Sequence, residues 1–396
     1  MAPSQFPSSR LLTGARLFDG EEWLDGCALL IEGGKIAALP VEGPATDTLS
    51  GRVETIALPP GTILVPGFLD VQVNGGGGIL FNATPTVDAA LAIAAAHRPF
   101  GTTALLPTFI TGETGAMRQA ADGAVAAVRI PGSGIVGLHL EGPFLAPARR
   151  GVHDGDFVRT PTDGDIDWLC SLPARLAPGK LLLTCAPEVM RPGDIARLTA
   201  AGVIVAGGHS AADLDRTQSA LAEGMTGFTH LFNAMPPIAN RSPGIALAAM
   251  ADPESWGGII ADGVHVHPAL LQATLRLKPG RVFLVTDAMP PTGTDLPDFV
   301  LDGRTIHRRN GQLVTEDGIL AGADLDMAQA LRNTVRLLGM PVGEALRMAS
   351  LYPARFLGLE GTHGRIAPGR RADLVALSAD LRVIRTLVAG EPTVPA

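Results

Sequence analysis

Two hydrophobic rhythms divide the chain. Through its middle, short runs that are apolar at nearly every position alternate with longer stretches of helical character. The runs are ILVPGFLDVQVN, TTALLPTF, IVGLHLEGP, LLLTCAPE, VIVAGGHS, GFTHLFNAM, GGIIADGVHV and VFLVTDAM. A strand with one wet face alternates apolar and polar residues, whereas a strand covered on both faces is apolar throughout. Stretches such as TPTVDAALAIAAAHRPF and GDIARLTAAG predict helices between the runs. Eight strand–helix units in series are what a (β/α)8 barrel, an α/β fold, requires. A doubly wound open sheet is the alternative; eight units followed by a terminal helix pair favour the barrel.

Outside this region the rhythm changes. LLTGARLF, CALLIEGGKIAAL and VETIAL near the start, and GRIAPGRRADLVALSADLRVIRTLVAG near the end, are short β-like runs punctuated by Gly-Gly or Pro-Gly. They predict a small β-sandwich built from residues 1–65 and 358–396, around a barrel of residues 66–357. HRRNGQLV, within residues 298–318, predicts a hairpin.

Nearly every run closes on a polar residue. In order these are Gln72 and Asn74, Thr108, His139 and Glu141, Glu188, His209, His230, Asp262 with His265, and Asp287. In a barrel the C-terminal strand ends meet on one face, so the pattern predicts a single polar pocket. A lone strand-end His is more often a hydrogen-bonded structural group than a ligand; a ring of such residues reverses that balance. Glu141, His209 and His230 offer two imidazoles and a carboxylate, a catalytic Zn2+ set that leaves a position open for water. Asp287 ends an apolar strand where an unpartnered carboxylate is costly, and it is the natural general base. The plainer reading makes it a carboxylate that orients a ligand histidine.

Composition narrows the class further. Hydrophobic residues make up 46% of the 396 and charged residues 18%, which supports a large core and excludes bulk disorder. The net charge is −8, with no cluster of Lys and Arg, so a nucleic-acid partner is not expected. Cys27, Cys170 and Cys185 form no CxxC pair, and neither a signal peptide nor a membrane span is legible. The expected location is the cytoplasm, away from membranes.

The motifs FLDVQVNGGGG, GLHLEGPF, RRGVH, GGHSAA, THLFNAMPPI, DGVHVHP, VTDAMPPTG and LAGADLDM resemble, in order, those of the N-acetylglucosamine-6-phosphate deacetylases of the amidohydrolase superfamily. MASLYPARFLGL with GRIAPGRRADLVAL is similar to the common C-terminus of that superfamily. The resemblance implies a barrel with a terminal β-sandwich, metal ligation by Glu141, His209 and His230, and Asp287 as catalytic acid/base. It implies that His153 helps polarise the acetyl carbonyl, and that Asn233 and the Ala234 backbone contact a small amino-sugar phosphate. Val152 in RRGVH and Leu320, Ala321 and Gly322 opening LAGADLDM are further implied contacts. His265 and Arg241 would hold the phosphate, Arg241 from the other subunit of a homodimer. Forked guanidinium donors suit a phosphate dianion.

Many members of the superfamily hold two metals with an HxH pair on the first strand and a carboxylated Lys on the fourth. Here Gln72 and Asn74 stand at the first pair, and LLLTCAPE ends without a Lys. Amide oxygens are poor Zn2+ ligands, so one divalent ion per subunit is expected, with Gln72 and Asn74 as hydrogen-bonding members of the pocket. Zn2+ suits the ligand set; Fe2+ or Co2+ would also fit. The competing readings are a deacetylase for the N-acetylgalactosamine epimer, another amidohydrolase, and a non-catalytic scaffold. The intact ligand set argues against the last.

Overall fold

The computed structural model describes residues 9–41 and 53–393. Eight parallel strands form its centre: β1 (Phe68–Val73), β2 (Thr102–Ile110), β3 (Gly137–Glu141), β4 (Lys180–Cys185), β5 (Ile204–Gly207), β6 (Gly227–Phe228), β7 (Trp256–Ile260) and β8 (Val282–Val285). Each pairs with the next in sequence. Closure comes just beyond β8, where Val73 bridges Ala288. There the Asp287 amide donates to the Gln72 carbonyl at 3.0 Å and the Asn74 amide to the Ala288 carbonyl at 2.9 Å. Apart from Lys180 and Ile204, every residue of the eight strands is buried, which is why their apolar runs do not alternate.

The helices lie between the strands and several carry the caps that start them. Thr86 caps Val87–His97, Thr162 and Asp165 form a capping box on Asp163–Leu176, and Asp213 and Asp326 cap Leu214–Ala222 and Met327–Arg336. Each cap satisfies an amide otherwise left orphaned, a contribution of ~1 kcal/mol. None of the described helices is long and apolar enough to cross a membrane.

The two ends of the chain supply two sheets. One runs Lys35–Val41, Ala28–Glu32, Arg10–Thr13, Glu54–Ala57; the other Glu391–Pro392, Val383–Val388, Leu374–Leu377, Ile63–Pro66, Arg16–Phe18, Trp23–Leu24. Leu12, Leu29 and Ile31 from the first share a core with Leu17, Leu64, Leu374 and Leu387 from the second. The first apolar run is therefore two strands. Ile63–Pro66 pairs with Leu374–Leu377 in the terminal sheet, and the chain crosses to β1 at Gly67. A Cβ at Gly67 would collide with the Thr103 side chain, and its amide donates to the Asp373 carbonyl at 2.8 Å.

Residues 298–314 exceed the expected hairpin. Asp298–Leu301, Arg304–Arg309 and Gln312–Val314 form a three-stranded antiparallel meander. Its turns are Asp302-Gly303 and Asn310-Gly311, all four residues at positive φ, the mirror-image turn that matches strand twist. Leu301, Ile306 and Leu313 seat the meander on Ile110, Met289 and Ala321 beside the barrel mouth.

Candidate metal centre and active site

A cavity of about 480 Å3 opens where the barrel strands end. Asn74, Glu141, Val152, His153, His209, His230, Asn233, Ala234, His265, Asp287, Leu320 and Gly322 all line it. The loops that carry them are under backbone strain: His209, His230, Phe232, Ala234 and Asp287 all sit at positive φ.

At the floor, Glu141 Oε1 lies 2.9 Å from His230 Nε2 and 3.1 Å from His209 Nε2. The two imidazole nitrogens are 3.0 Å apart. His209 Nδ1 donates to the Arg149 carbonyl at 2.9 Å, which fixes the tautomer whose Nε2 lone pair points at Glu141. A lone pair facing a carboxylate at this distance is repulsive unless a proton or cation lies between them. Burial alone would raise the Glu141 carboxyl, but the His209 and His230 imidazoles packed against it outweigh burial and hold the group well below the usual range. His230 moves the opposite way: burial lowers it, yet bonding to Glu141 and that carboxylate's charge leave it raised.

His153 stands beside this group. Glu141, His153 and His209 present ligand atoms all within 4.8 Å of one another. His230 makes the shorter contacts to Glu141 and His209, whereas His153 Nδ1 is engaged with Thr111 Oγ1 at 2.9 Å. Burial, then the neighbouring His209, holds the His153 imidazole well below its ordinary value, so it is neutral. One carboxylate and the imidazole nitrogens converging on one point are a donor set that fits a divalent cation.

Asp287 faces the same cavity with one oxygen occupied. Oδ1 accepts from Asn74 Nδ2 at 2.6 Å and from Gln72 Nε2 at 3.2 Å. Gln72 Nε2 also reaches both Glu141 oxygens, at 3.2 and 3.3 Å, so it ties acid to ligand from below. Burial, and next the charge of Glu141, pushes the Asp287 carboxyl up to about 6. Beneath lies a polar chain: His139 Nδ1 to Thr108 Oγ1 at 3.1 Å, Nε2 to Thr184 Oγ1 at 2.7 Å, and Thr184 to Thr229 at 2.6 Å. Burial lowers the His139 imidazole to about 4.

Other strand-end groups serve as supports. Asp262 accepts from His265 Nδ1 at 2.6 Å, leaving Nε2 for the cavity. Glu188 accepts from Ser210 Oγ at 2.7 Å and the Ala211 amide at 2.5 Å, holding the loop after His209. Asn233 Nδ2 donates to the His230 carbonyl at 3.0 Å.

Three nominated residues lie elsewhere. Gln72 sits below the cavity rather than on its wall. Arg241 is exposed on a loop closed by an Ala239–Ser242 bridge and does not reach the pocket of its own chain. Ala321 lies between the cavity-lining Leu320 and Gly322 but is itself fully buried against Met289 and the meander, and its amide donates to the Leu313 carbonyl. Sequence reasoning passed over Arg149, which lines the cavity beside His153, and Asp70, an ionisable residue inside a buried run. The acid in FLDVQV was the available signal for the second.

Residues 63–393 match the amidohydrolase family. The chain is similar to the N-acetylgalactosamine-6-phosphate deacetylase of Shewanella sp. (strain ANA-3), 40% identical over 380 residues, which cover 96% of this chain and 94% of that one. Among solved structures it is similar to the N-acetylglucosamine-6-phosphate deacetylase of Pasteurella multocida, with a TM-score of 0.91 and 33% identity over 97% of this chain and 99% of that one. It is also similar to a variant of the Mycobacterium smegmatis N-acetyl-D-glucosamine-6-phosphate deacetylase in complex with N-acetyl-D-glucosamine-6-phosphate. That structure has a TM-score of 0.88 and 35% identity over 98% of this chain and 100% of its own.

Proposed function

The chain belongs to the amidohydrolase family, and from that premise we propose that it hydrolyses the acetamide of an N-acetylated amino-sugar 6-phosphate, giving acetate and the free amine. The observation that carries this reading is the meeting of Glu141, His209 and His230 within 3.1 Å, with Asp287 facing the same cavity. Glu141, His209 and His230 would hold one divalent ion per subunit, Zn2+ by the character of the set. When bound, such an ion supplies Lewis acidity toward water and the acetyl carbonyl.

The chain's own groups do the rest. Asp287 takes a proton from the attacking water as the C–O bond forms, then returns it to nitrogen as the C–N bond breaks. In the tautomer whose Nδ1 accepts from the Thr111 hydroxyl, His153 would present Nε2–H to the carbonyl oxygen and stabilise its developing charge. Asn233 and the Ala234 backbone take the sugar, with Val152, Leu320 and Gly322 as walls. His265, oriented by Asp262, takes the phosphate, and Arg241 completes the clamp from the partner in a homodimer. Residues 66–357 carry the chemistry, with the described parts of 1–65 and 358–396 as the accessory sandwich.

The N-acetylglucosamine epimer is the leading substrate. The galacto epimer is the second reading, favoured by the Shewanella relative. Acetate release from both 6-phosphates and from the unphosphorylated sugar tests the reading. Release from the phosphorylated sugars alone is expected. Equal rates with and without phosphate would remove His265 and Arg241 from their roles, and the faster epimer decides between the two substrates.

A further inference from the structure

Asp70 is a buried carboxylate that the chemistry above leaves unused. It is fully buried in a strand whose other residues are Phe68, Leu69, Val71, Gln72 and Val73, and no cation pairs with it among the described residues. An unpaired acid in such a place is expensive, and an apolar residue would fill the strand at lower cost.

Its partners show what it holds. Oδ2 accepts from Thr286 Oγ1 at 2.5 Å, and Oδ1 accepts from the amides of Thr286 at 3.3 Å and Gln72 at 3.2 Å. The Thr286 hydroxyl oxygen in turn accepts from the Ala288 amide at 3.2 Å. These bonds join β1 to the segment after β8, where the barrel closes. The next side chains on each side are working groups. Gln72 and Asn74 both place amide donors on Asp287 Oδ1, and no described residue donates to Oδ2. Asp287 itself sits at φ +52°, a conformation its surroundings must hold.

We propose that Asp70 is a positioning residue. With Thr286 it clasps the closing seam in the register that caps Asp287 Oδ1 with two amides and leaves Oδ2 as the atom that exchanges the proton. The proposal rests on the reading of Asp287 as acid/base. It adds that the amides standing where relatives of this fold carry metal-binding histidines depend on a second carboxylate behind them.

The test compares Asp70→Asn, Thr286→Val, Thr286→Ser and the Asp70→Asn/Thr286→Val double variant, each assayed for kcat, KM, metal per subunit and unfolding midpoint. For Asp70→Asn and Thr286→Val, kcat is expected to fall on the order of 10- to 100-fold, with KM within about twofold and metal content unchanged. Thr286→Ser keeps the hydroxyl and is expected to recover kcat to within about threefold, while the double variant loses no more than about the worse single. A purely structural clasp would lower the unfolding midpoint and leave kcat per folded, metal-loaded subunit intact; that result overturns the proposal. Equal impairment by Ser and Val does so too. Thr286→Val is close to isosteric and keeps the question answerable if Asp70→Asn does not fold. Absence of acetate release by the wild-type chain would instead sink the proposed function.

Discussion

The turns of the meander and the mouth of the barrel both hold non-glycine residues at positive φ, for opposite reasons. In the meander these are Asp302 and Asn310, each followed by glycine, in two-residue turns that demand the left-handed region. Asp and Asn tolerate it because their short polar side chains bond locally. At the mouth the residues are His209, His230, Phe232 and Ala234, whose side chains offer no such general relief, and Asp287, whose carboxylate is turned instead to Gln72 and Asn74. Each costs roughly 1–2 kcal/mol there. The first strain is local turn chemistry; the second is sustained by the surrounding fold and aims groups into one cavity.

The sharpest way to break that comparison is at Asp287. Asp287→Asn keeps the shape and the Gln72 and Asn74 neighbours but cannot carry a proton. A fall in kcat on the order of 10^2- to 10^4-fold is expected, with metal content unchanged. Acetate release and metal analysis on the same sample check it. Full activity would reduce Asp287 to a strained bystander.

Next in size is removal of the cation. Chelation is expected to abolish acetate release reversibly and to lower the unfolding midpoint, because a ligand at 100 times its Kd stabilises by about 2.7 kcal/mol. His230→Ala should mimic chelation, since it removes one of the three closest donor atoms. A chain that keeps full activity after exhaustive chelation would leave the lone-pair cluster unexplained.

The pH profile is a gentler probe. Burial, and then Glu141's charge, raises the Asp287 carboxyl to about 6. A bound cation would pull it down, since positive charge favours the carboxylate. The general base is needed ionised, so kcat/KM should be flat at neutral pH and fall tenfold per unit on an acid limb lying no higher than about pH 6. A limb near 8 would point to another group.

How far the sequence reached depended on whether a pattern was local. The eight strands were legible because a strand buried on both faces has to be apolar throughout, and Glu141, His209, His230 and Asp287 stood out as polar exceptions at the ends of such runs. The meander turns were half legible, since Asn310-Gly311 carries its own geometry while the strand before Asp302 does not announce its partner. Direction was harder. Ala321 and Leu320 are adjacent and apolar, and only the docking of the meander decides that one faces the core and the other the cavity. The break at Gly67 depends on Thr103, far along the chain, and Asp70 acquires meaning only when Thr286 arrives across the closing seam.

The smallest effects test the comparison most directly, because the two regions should respond with opposite sign. At Gly311, φ is +73° and nothing lies within 4 Å of a Cβ placed there, so Gly311→Ala carries only the conformational cost. It should destabilise by about 1 kcal/mol and leave kcat untouched. At Ala234, φ is +52° on the cavity wall, and Ala234→Gly relieves strain already present. The net gain in stability should be at most about 1 kcal/mol, since glycine also loosens the unfolded chain. KM should rise, because a freer backbone orders less of the sugar contact before binding. Denaturant midpoints for both variants, read beside KM, decide the matter. If Ala234→Gly is destabilising and kinetically silent, the strain at the mouth is incidental to the site.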